Sequence, residues 1–538
     1  MADAIPKPHR STAKETLTSI TIAFILAFVF RAFVIEAFVI PTGSMAPTLM
    51  GAHVRIHSDR TAFEFPAGPA EVQSDAQTPK PLQAGSVRDP MLGPTRDAEI
   101  SFQNEPIRSG DRILVLKYLQ GVFEPSRFDV VVFKSPVDPQ TNFIKRLIGL
   151  PGEQIALIDG DVFVRDASLP LDPDAPTLWN QDGWHVARKS ERVQRTVWHE
   201  VFDSAFTPLN PIHNGRRYFE PPWQGDDAWK IEDRNSYRYE GNGATTLTWS
   251  DRWPIRDRYA YDETSSSIGR RDDRFPVSDI RLRAGIEPDD PLSRVAAVIT
   301  ARGHEFKGEV DASGNAIISM REIGQDAWTQ MAADTIAPLR PDHVNNVEFW
   351  HVDQSLQLWV AGRLVAYAEY DWTPEQRIFN ATGETIPDLV ADGMGSFRVE
   401  SIYRRPTVRW EFDGSPLTLH RVALERDLHY QAWVYGNNPD GTTSSRVGQP
   451  AAATHPQQPI NLNDRQFFCC GDNSPASSDG RLWDRPDPWV ALIDETYGVV
   501  PRELMIGRAF FVYFPSPIRR FKSSRLWIPD AGRLRMIW

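Results

Sequence analysis

A chain of 538 residues, 41% apolar and 24% charged, is long enough for two to four folded units of about 100 to 200 residues each and too rich in apolar residues for wholesale disorder. Fifty-nine basic residues against 71 acidic ones leave a net charge of −12, which argues against broad phosphate neutralisation and hence against a nucleic-acid partner. Two cysteines, Cys469 and Cys470, are too few for a disulfide framework or a structural zinc site; a pair of buried thiols is the plain reading, and a strained vicinal disulfide or redox pair the alternative.

The mean hydropathy of −0.40 hides one local exception. Residues 16–35 form a run of 20 whose only charge is Arg31, and a helix of that length matches the roughly 30 Å hydrocarbon core of a bilayer. Lys7, Arg10 and Lys14 against Asp3 place residues 1–15 on the cytoplasmic side and send the rest across. A cleaved signal peptide or a buried core helix is the alternative, but the bulky FRAFVIEAFVIP that follows lacks small residues for a cleavage point. Arg31 falls near the outer end, where its guanidinium can reach the headgroups.

Beyond this anchor, β-branched and aromatic residues predict a strand over 33–40, broken by Pro41 and Gly43. Residues 56–109, rich in Pro, Ala, Asp and Gln without periodicity, read as a long irregular excursion. Strand patterns resume at 111–118 and 128–136; NFIKRLIGLPGE (142–153) then leads through a Pro-Gly turn into IALIDGDVFV, which predicts two short strands joined by a turn around Asp159 and Gly160. Residues 36–170 are therefore expected to be mostly β. From 171 to 454 recurrent strands, among them a hairpin turning at Ala361-Gly362, predict an inserted β-sandwich that faintly resembles concanavalin-like jelly rolls. His351, Asp353, His420, Asp427 and His429 within it could be metal ligands but read as hydrogen-bonded structural residues, so neither metal nor cofactor is expected. This stretch holds 31 basic and 43 acidic residues and so carries the whole net charge. Compact strands return over 455–538, where eight basic residues from Arg502 onward form either a solvated tail or a contact for anionic lipid headgroups.

Three islands carry the chemistry. IPTGSMAPTLM places Ser44 in a turn just past the apolar run. NFIKRLIGLPGE places Lys145 on a strand among Phe143, Ile144, Leu147 and Ile148, where desolvation would lower its pKa and let it act as a base near neutrality. GDNSPASSDGRLW spans Gly471 to Trp483. Each alone is weak, since loop serines, strand lysines and such turns are common. Together, in this order behind one anchor, they resemble the P-S-G-S-M-x-P-T-L, K-R-V-x-G-L-P-G-D/E and G-D-N-x-x-x-S-x-D-S-R-x-W boxes of bacterial type I signal peptidases. Thr42 stands in place of the usual first serine, and Ser474, Pro475, Ala476 and Gly480 depart from the third box. The resemblance covers roughly 1–170 and 455–538 and leaves 171–454 unexplained.

The resemblance implies a serine/lysine dyad, with Ser44 as nucleophile and Lys145 as general base, acting through an acyl-enzyme. It implies an oxyanion site from the Ser44 N–H and the Thr42 hydroxyl, a donor whose loss typically costs about 10² to 10³ in turnover. Ser477 would orient Lys145. Asp479 and Arg481, with Arg146 and Asp472, would support the site from beneath. Met45, Phe38, Ile40 and Phe133 would line a groove for preproteins cut after small residues at −1 and −3, bound as an added strand. The expected setting is the cytoplasmic membrane, single-pass, with the catalytic part outside, acting on signal-peptide-bearing preproteins and touching lipid. Two other readings stay open: a self-cleaving repressor-type Ser/Lys protease, which would need a DNA-binding module where the anchor lies, and a non-enzymatic anchored protein whose insertion binds a glycan or another partner.

Overall fold

The computed structural model describes residues 13–68, 82–95, 98–118, 124–213, 215–231, 236–262, 274–391, 396–433, 446–519 and 527–538. The expected cytoplasmic segment 1–15 lies outside them up to residue 12, and so do Arg520, Lys522 and Arg525 of the basic tail.

An α-helix covers Ala13–Phe33, and Leu17, Phe24, Leu26 and Phe28 on it are exposed. It ends short of the expected residue 35, because the strand Ile35–Val39 begins there. Among the described residues no helix is long and apolar enough to cross a membrane; the side chains at 30 and 32 lie outside the described set.

The rest is mostly β. The first sheet runs in the order Ile35–Val39, Arg112–Lys117, Met505–Phe514, Val130–Lys134, Asn142–Gly149, Gln466–Cys470 and Val500–Pro501, with Arg535–Met536 paired to Met505–Phe514. Its side chains alternate with the pleat. Val130 and Val132 pack with Ile40, Met45, Leu49, Ile113 and Val115 on one face. Val131 and Phe133 pack with Leu147, Phe467, Trp483 and Leu504 on the other. A strand from residue 505 onward lies between two from before residue 135, so neither end of the chain builds this sheet alone.

A second sheet joins Glu153–Ile158 and Asp161–Asp166 to His185–Val186 and Ile460–Asn461. Its hairpin turns at Asp159 and Gly160, both left-handed at φ 47° and 88°, the geometry that a two-residue Asp-Gly turn provides. Because His185–Val186 pairs onto Phe163 and Val164, this sheet continues past residue 170, where the insertion was expected to begin.

Residues beyond it form two large facing sheets, one of eight strands and one of seven. Leu282, Phe349, Leu358 and Leu424 from one meet Leu247, Ile299, Phe306 and Trp410 from the other in a single core, which makes this region a β-sandwich. The hairpin expected at Ala361-Gly362 is present, with Val360 opposite Arg363 and both turn residues at positive φ. The region 56–109, expected to be irregular, instead carries the hairpins Val54–His57 with Glu64–Ala67 and Leu82–Arg88 with Glu99–Glu105. These strands are short and interrupted by Gly and Pro, so pairing rather than local pattern creates them.

Candidate active site

Ser44 follows the edge strand Ile35–Val39 in a turn closed by Ala46 N–H donating to Gly43 O (2.9 Å) and Leu49 N–H to Met45 O (2.8 Å). Lys145 comes from the strand Asn142–Gly149, opposite Val131. The two meet: Lys145 Nζ lies 2.7 Å from Ser44 Oγ, with both residues buried. Phe143 lies 5.2 Å beneath the ammonium nitrogen. Burial brings the Lys145 pKa down to about 8, while the Asp479 carboxylate nearby pulls the other way.

The third island packs against the nucleophile turn. Asn473 N–H donates to Ser44 O (3.0 Å), and Asn473 Nδ2 donates to Gly43 O (3.2 Å). A Cβ at Gly471 would fall 2.5 Å from Ser44 O, so only glycine permits this approach. The four charged residues form two separate fully buried pairs rather than one cluster. Arg146 grips Asp472 through two bonds of 2.7 and 2.6 Å, and Asp472 also accepts from Thr48 Oγ1 at 2.6 Å, tying the Lys145 strand to the nucleophile turn. Arg481 grips Asp479 through bonds of 2.9 and 2.8 Å, and Asp479 accepts from Gly471 N–H as well. Burial alone would raise Asp479, but the Arg481 guanidinium and the Gly471 N–H hold its carboxyl below the usual range.

Gly480 stands where the resembled box carries serine. A Cβ there would come within 2.6 Å of Gly498 O and 3.0 Å of Cys469 O, so this backbone has no room for a side chain.

Other expected positions differ. Ser477 is buried, but its Oγ has no hydrogen-bond partner among the described residues, so the expected bond to Lys145 is not made. Thr42 is exposed two residues before Ser44. Met45, Ile40 and Phe133 do not line an open groove: all three are buried in the sheet's two cores, where Phe133 packs edge-on against Trp483. Only Phe38 keeps partial exposure, on the edge strand. Cys469 and Cys470 are buried free thiols on opposite faces of their strand. Of the basic tail, Arg533 Nη1 donates to Ser516 Oγ (3.0 Å) and Arg535 Nη2 donates to Thr48 O, so Arg535 braces the turn that carries Ser44.

Four buried carboxylates, Asp161, Asp279, Asp353 and Asp427, gather with oxygens within 4.8 Å of one another. Cations already interleave them: Lys189 lies 2.5 and 2.8 Å from Asp353 and Asp427, Arg302 2.6 Å from Asp279, and Arg377 2.6 Å from Asp161. His351 bonds Ser278 O and Tyr370 Oη, and His420 pairs with Glu287, in keeping with structural roles.

The model of a family described as signal peptidase, peptidase S26, matches residues 13–74 and 91–201. Signal peptidase I of Rickettsia typhi (strain ATCC VR-144 / Wilmington) is 28% identical over 207 residues, 38% of this chain and 63% of that protein. Signal peptidase I of Rickettsia prowazekii (strain Madrid E) is 27% identical over 172 residues, 32% of this chain and 50% of that protein. Over these residues the chain is similar to signal peptidases. It spans less than two thirds of the length of these curated relatives. Among solved structures, a carbohydrate-binding module CBM66 from Bacillus subtilis aligns over 38% of this chain and 95% of its own at 13% identity with a TM-score of 0.22, too low to carry an argument.

The signal peptidase match includes Ser44 and Lys145 but stops at residue 201, before the Gly471–Trp483 island. Sequence reasoning also missed residues from the sandwich region that reach the site. Tyr259 Oη donates to Asp472 O (3.0 Å), Asp262 accepts from Asn473 Nδ2 (2.9 Å), and Tyr261 Oη donates to Ala52 O (2.7 Å) with its ring against Gly43. No local signal in DRYAYD points to a turn about 200 residues upstream.

Proposed function

We propose that this chain is a membrane-anchored signal peptidase that cuts exported preproteins after small residues at −1 and −3. The observation that carries the reading is the 2.7 Å approach of Lys145 Nζ to Ser44 Oγ in a buried setting that lowers the lysine pKa to about 8. With its amine neutral, Lys145 takes the Ser44 proton as Oγ attacks the scissile carbonyl, then passes it to the leaving amine. A water deprotonated by the same amine hydrolyses the acyl-enzyme. The Ser44 N–H and the Thr42 hydroxyl receive the oxyanion. Asp479 with Arg481 and Asp472 with Arg146 hold the two halves of the dyad in register.

The substrate segment adds to the free edge of Ile35–Val39, where Phe38 is half-buried and Val39 exposed. The N-terminal helix, apolar side chains exposed along its length, serves as a single anchor with the dyad on the extracytoplasmic side. The peptidase part is assembled from residues 36–170 and 455–538 around the inserted 171–454, and the pairing of His185–Val186 supports moving the first junction some 15 to 30 residues onward.

Cleavage of a model preprotein by the detergent-solubilised protein tests this. The parent cuts at the small-x-small site, and Ser44→Ala and Lys145→Ala each lose at least about 10³-fold in kcat. Full activity in Lys145→Ala would refute the dyad.

A further inference from the structure

DRPDPWVALIDET, residues 484–496, follows the third island directly. Pro488–Ala491 form a helical turn capped by Asp487, whose carboxylate accepts from Trp489 N–H (2.8 Å). Ile493 N–H and Asp494 N–H both donate to Val490 O (2.8 and 2.9 Å) and carry the turn onward. Leu492 and Ile493, three and four residues on from Trp489, therefore share a face with it, while Val490 points into the core beside Phe133 and Trp483. The shared face is bare. Trp489 is 53%, Leu492 86% and Ile493 40% exposed, and no other large apolar side chain among the described residues is as exposed as Leu492. Three such groups side by side, rather than scattered singly, mark a contact surface.

The sheet register places this turn at the same end as the N-terminal helix. That helix ends at Phe33 and the first strand begins at Ile35, with Lys117 N–H donating to Val34 O (2.9 Å) at the joint. Lys117 lies opposite Gly507, and Gly507 opposite Val132. Val132 is therefore level with the helix end, and the chain from Phe133 onward leaves the sheet on that side. There Asp487 N–H donates to Pro136 O (2.8 Å), which sets the start of the turn three strand spacings, about 15 Å, across from the helix. Two acids of the segment are engaged within the protein: Asp487 caps the turn, and Asp494 accepts from Gln466 Nε2 (2.6 Å) and Thr496 N–H (2.8 Å). Arg485 and Glu495, one charge of each sign, are exposed near its two ends.

We infer that the face of Trp489, Leu492 and Ile493 is a second membrane contact, seated among the headgroups and upper acyl chains of the bilayer that holds the N-terminal helix. The inference rests on the proposed reading of that helix as an anchor. A helix that passes into the sheet with one residue between them keeps that end of the sheet at the bilayer surface, and the turn starts at the same end. A tryptophan beside two aliphatic side chains suits this boundary, where an indole stays at headgroup depth while leucine and isoleucine reach the hydrocarbon. One tether leaves the peptidase part free to swing about the helix end. A second contact fixes its tilt, and with it the height at which Ser44 meets a segment emerging from the bilayer.

The test uses the full chain in phosphatidylcholine nanodiscs whose lipids carry a spin label on the acyl chain. Cys469 and Cys470 are buried, so a cysteine introduced at the surface takes a thiol-reactive fluorophore in their place. Leu492→Cys is compared with Leu26→Cys on the helix, Ile323→Cys on the sandwich and Met536→Cys on the strand paired to Phe511, all at exposed positions. Quenching of Leu492→Cys close to that of Leu26→Cys, and at least about threefold that of Ile323→Cys, upholds the contact. Quenching no greater than that of Ile323→Cys overturns it, and the anchor stands if Leu26→Cys is quenched. Quenching of Met536→Cys instead overturns it in favour of another face of the sheet. If no variant is quenched, the anchor and the contact fall together. Energy transfer between two copies labelled at Leu492→Cys without lipid quenching overturns it in favour of self-association. The double variant Trp489→Gln, Leu492→Gln, at unchanged melting temperature, raises KM for a preprotein presented in the same bilayer by about fivefold and leaves KM for a short soluble peptide alone. The fluorescence decides the contact even if nothing is cut, in which case only the peptidase reading falls.

Discussion

Lys145 shows how one residue's environment sets its chemistry. On a solvated strand its amine would stay protonated to about pH 10.4. Here burial favours the neutral amine and brings the pKa to about 8, against the pull of Asp479. The proposed general-base role requires the neutral form, so kcat/KM is expected to rise as pH increases through about 8 and then level off, measured as a pH–rate profile of the free enzyme. Replacing Asp479 by Asn removes the group that raises the lysine pKa, and the inflection then moves to lower pH. The same change leaves the wholly buried Arg481 without its carboxylate, at a cost of about 3–5 kcal/mol in denaturant unfolding. Ser477 differs in kind. Its Oγ makes no hydrogen bond among the described residues, so Ser477→Ala is expected to leave the pH inflection in place and change stability by about 0.5 kcal/mol or less. A displaced inflection would mean that Ser477 contacts Lys145 in the free enzyme.

At the scale of elements, the site depends on one turn being held from three directions. Thr48 bonds Asp472, Asn473 bonds Ser44 O and Gly43 O, and Tyr261 bonds Ala52 O. A short turn without helix or strand ladders of its own needs such outside partners to keep Ser44 Oγ within reach of Lys145 Nζ. Asn473→Ala removes the Nδ2 donor shared by Gly43 O and Asp262 Oδ1, and we expect a loss of about 1–3 kcal/mol in stability together with a fall in kcat larger than any change in KM. Tyr261→Phe removes one hydrogen bond but keeps the ring against Gly43, so it should cost less than Asn473→Ala in both measurements. These contacts explain why the Gly471–Trp483 island could be matched by motif while the Tyr259–Asp262 turn could not. The island is contiguous and its spacing is legible, whereas the turn acts through isolated hydroxyl and carboxylate groups brought near by folding.

Across the whole molecule, the sandwich and the peptidase-like sheets share buried charge. Asp159 and Asp161 at the hairpin of 153–166 pair with Arg302 and Arg377 from the sandwich region, all with little or no exposed side chain. Burial and the neighbouring Asp279 carboxylate raise the Asp161 pKa, while Arg377 opposes them. Deleting one partner of such a pair strands the other, so Arg377→Met is expected to destabilise by about 3–5 kcal/mol. Because residues 259–262 also clamp the turn that carries Ser44, calorimetry should record one unfolding transition for both regions; two separated transitions would show that the sandwich is an independent module.

The sequence by itself determined much of this protein. Alternating β-branched runs specify strands, and Asp159-Gly160 and Ala361-Gly362 specify two hairpins; these are local patterns, readable because backbone geometry and side-chain period act over a few residues. The pairing of Ser44 with Lys145 was implied only by the resemblance of three islands to the signal peptidase boxes. The tertiary structure decided what depends on distant partners. It buried Met45, Ile40 and Phe133 where a groove was expected, and it drew hairpins from the Pro-rich stretch 56–109. It split the supporting charges into two pairs, left Ser477 unbonded, and brought Tyr259, Tyr261 and Asp262 to the nucleophile turn. Burial and pairing are sums over neighbours that lie hundreds of residues apart in the chain, so no window of sequence contains them.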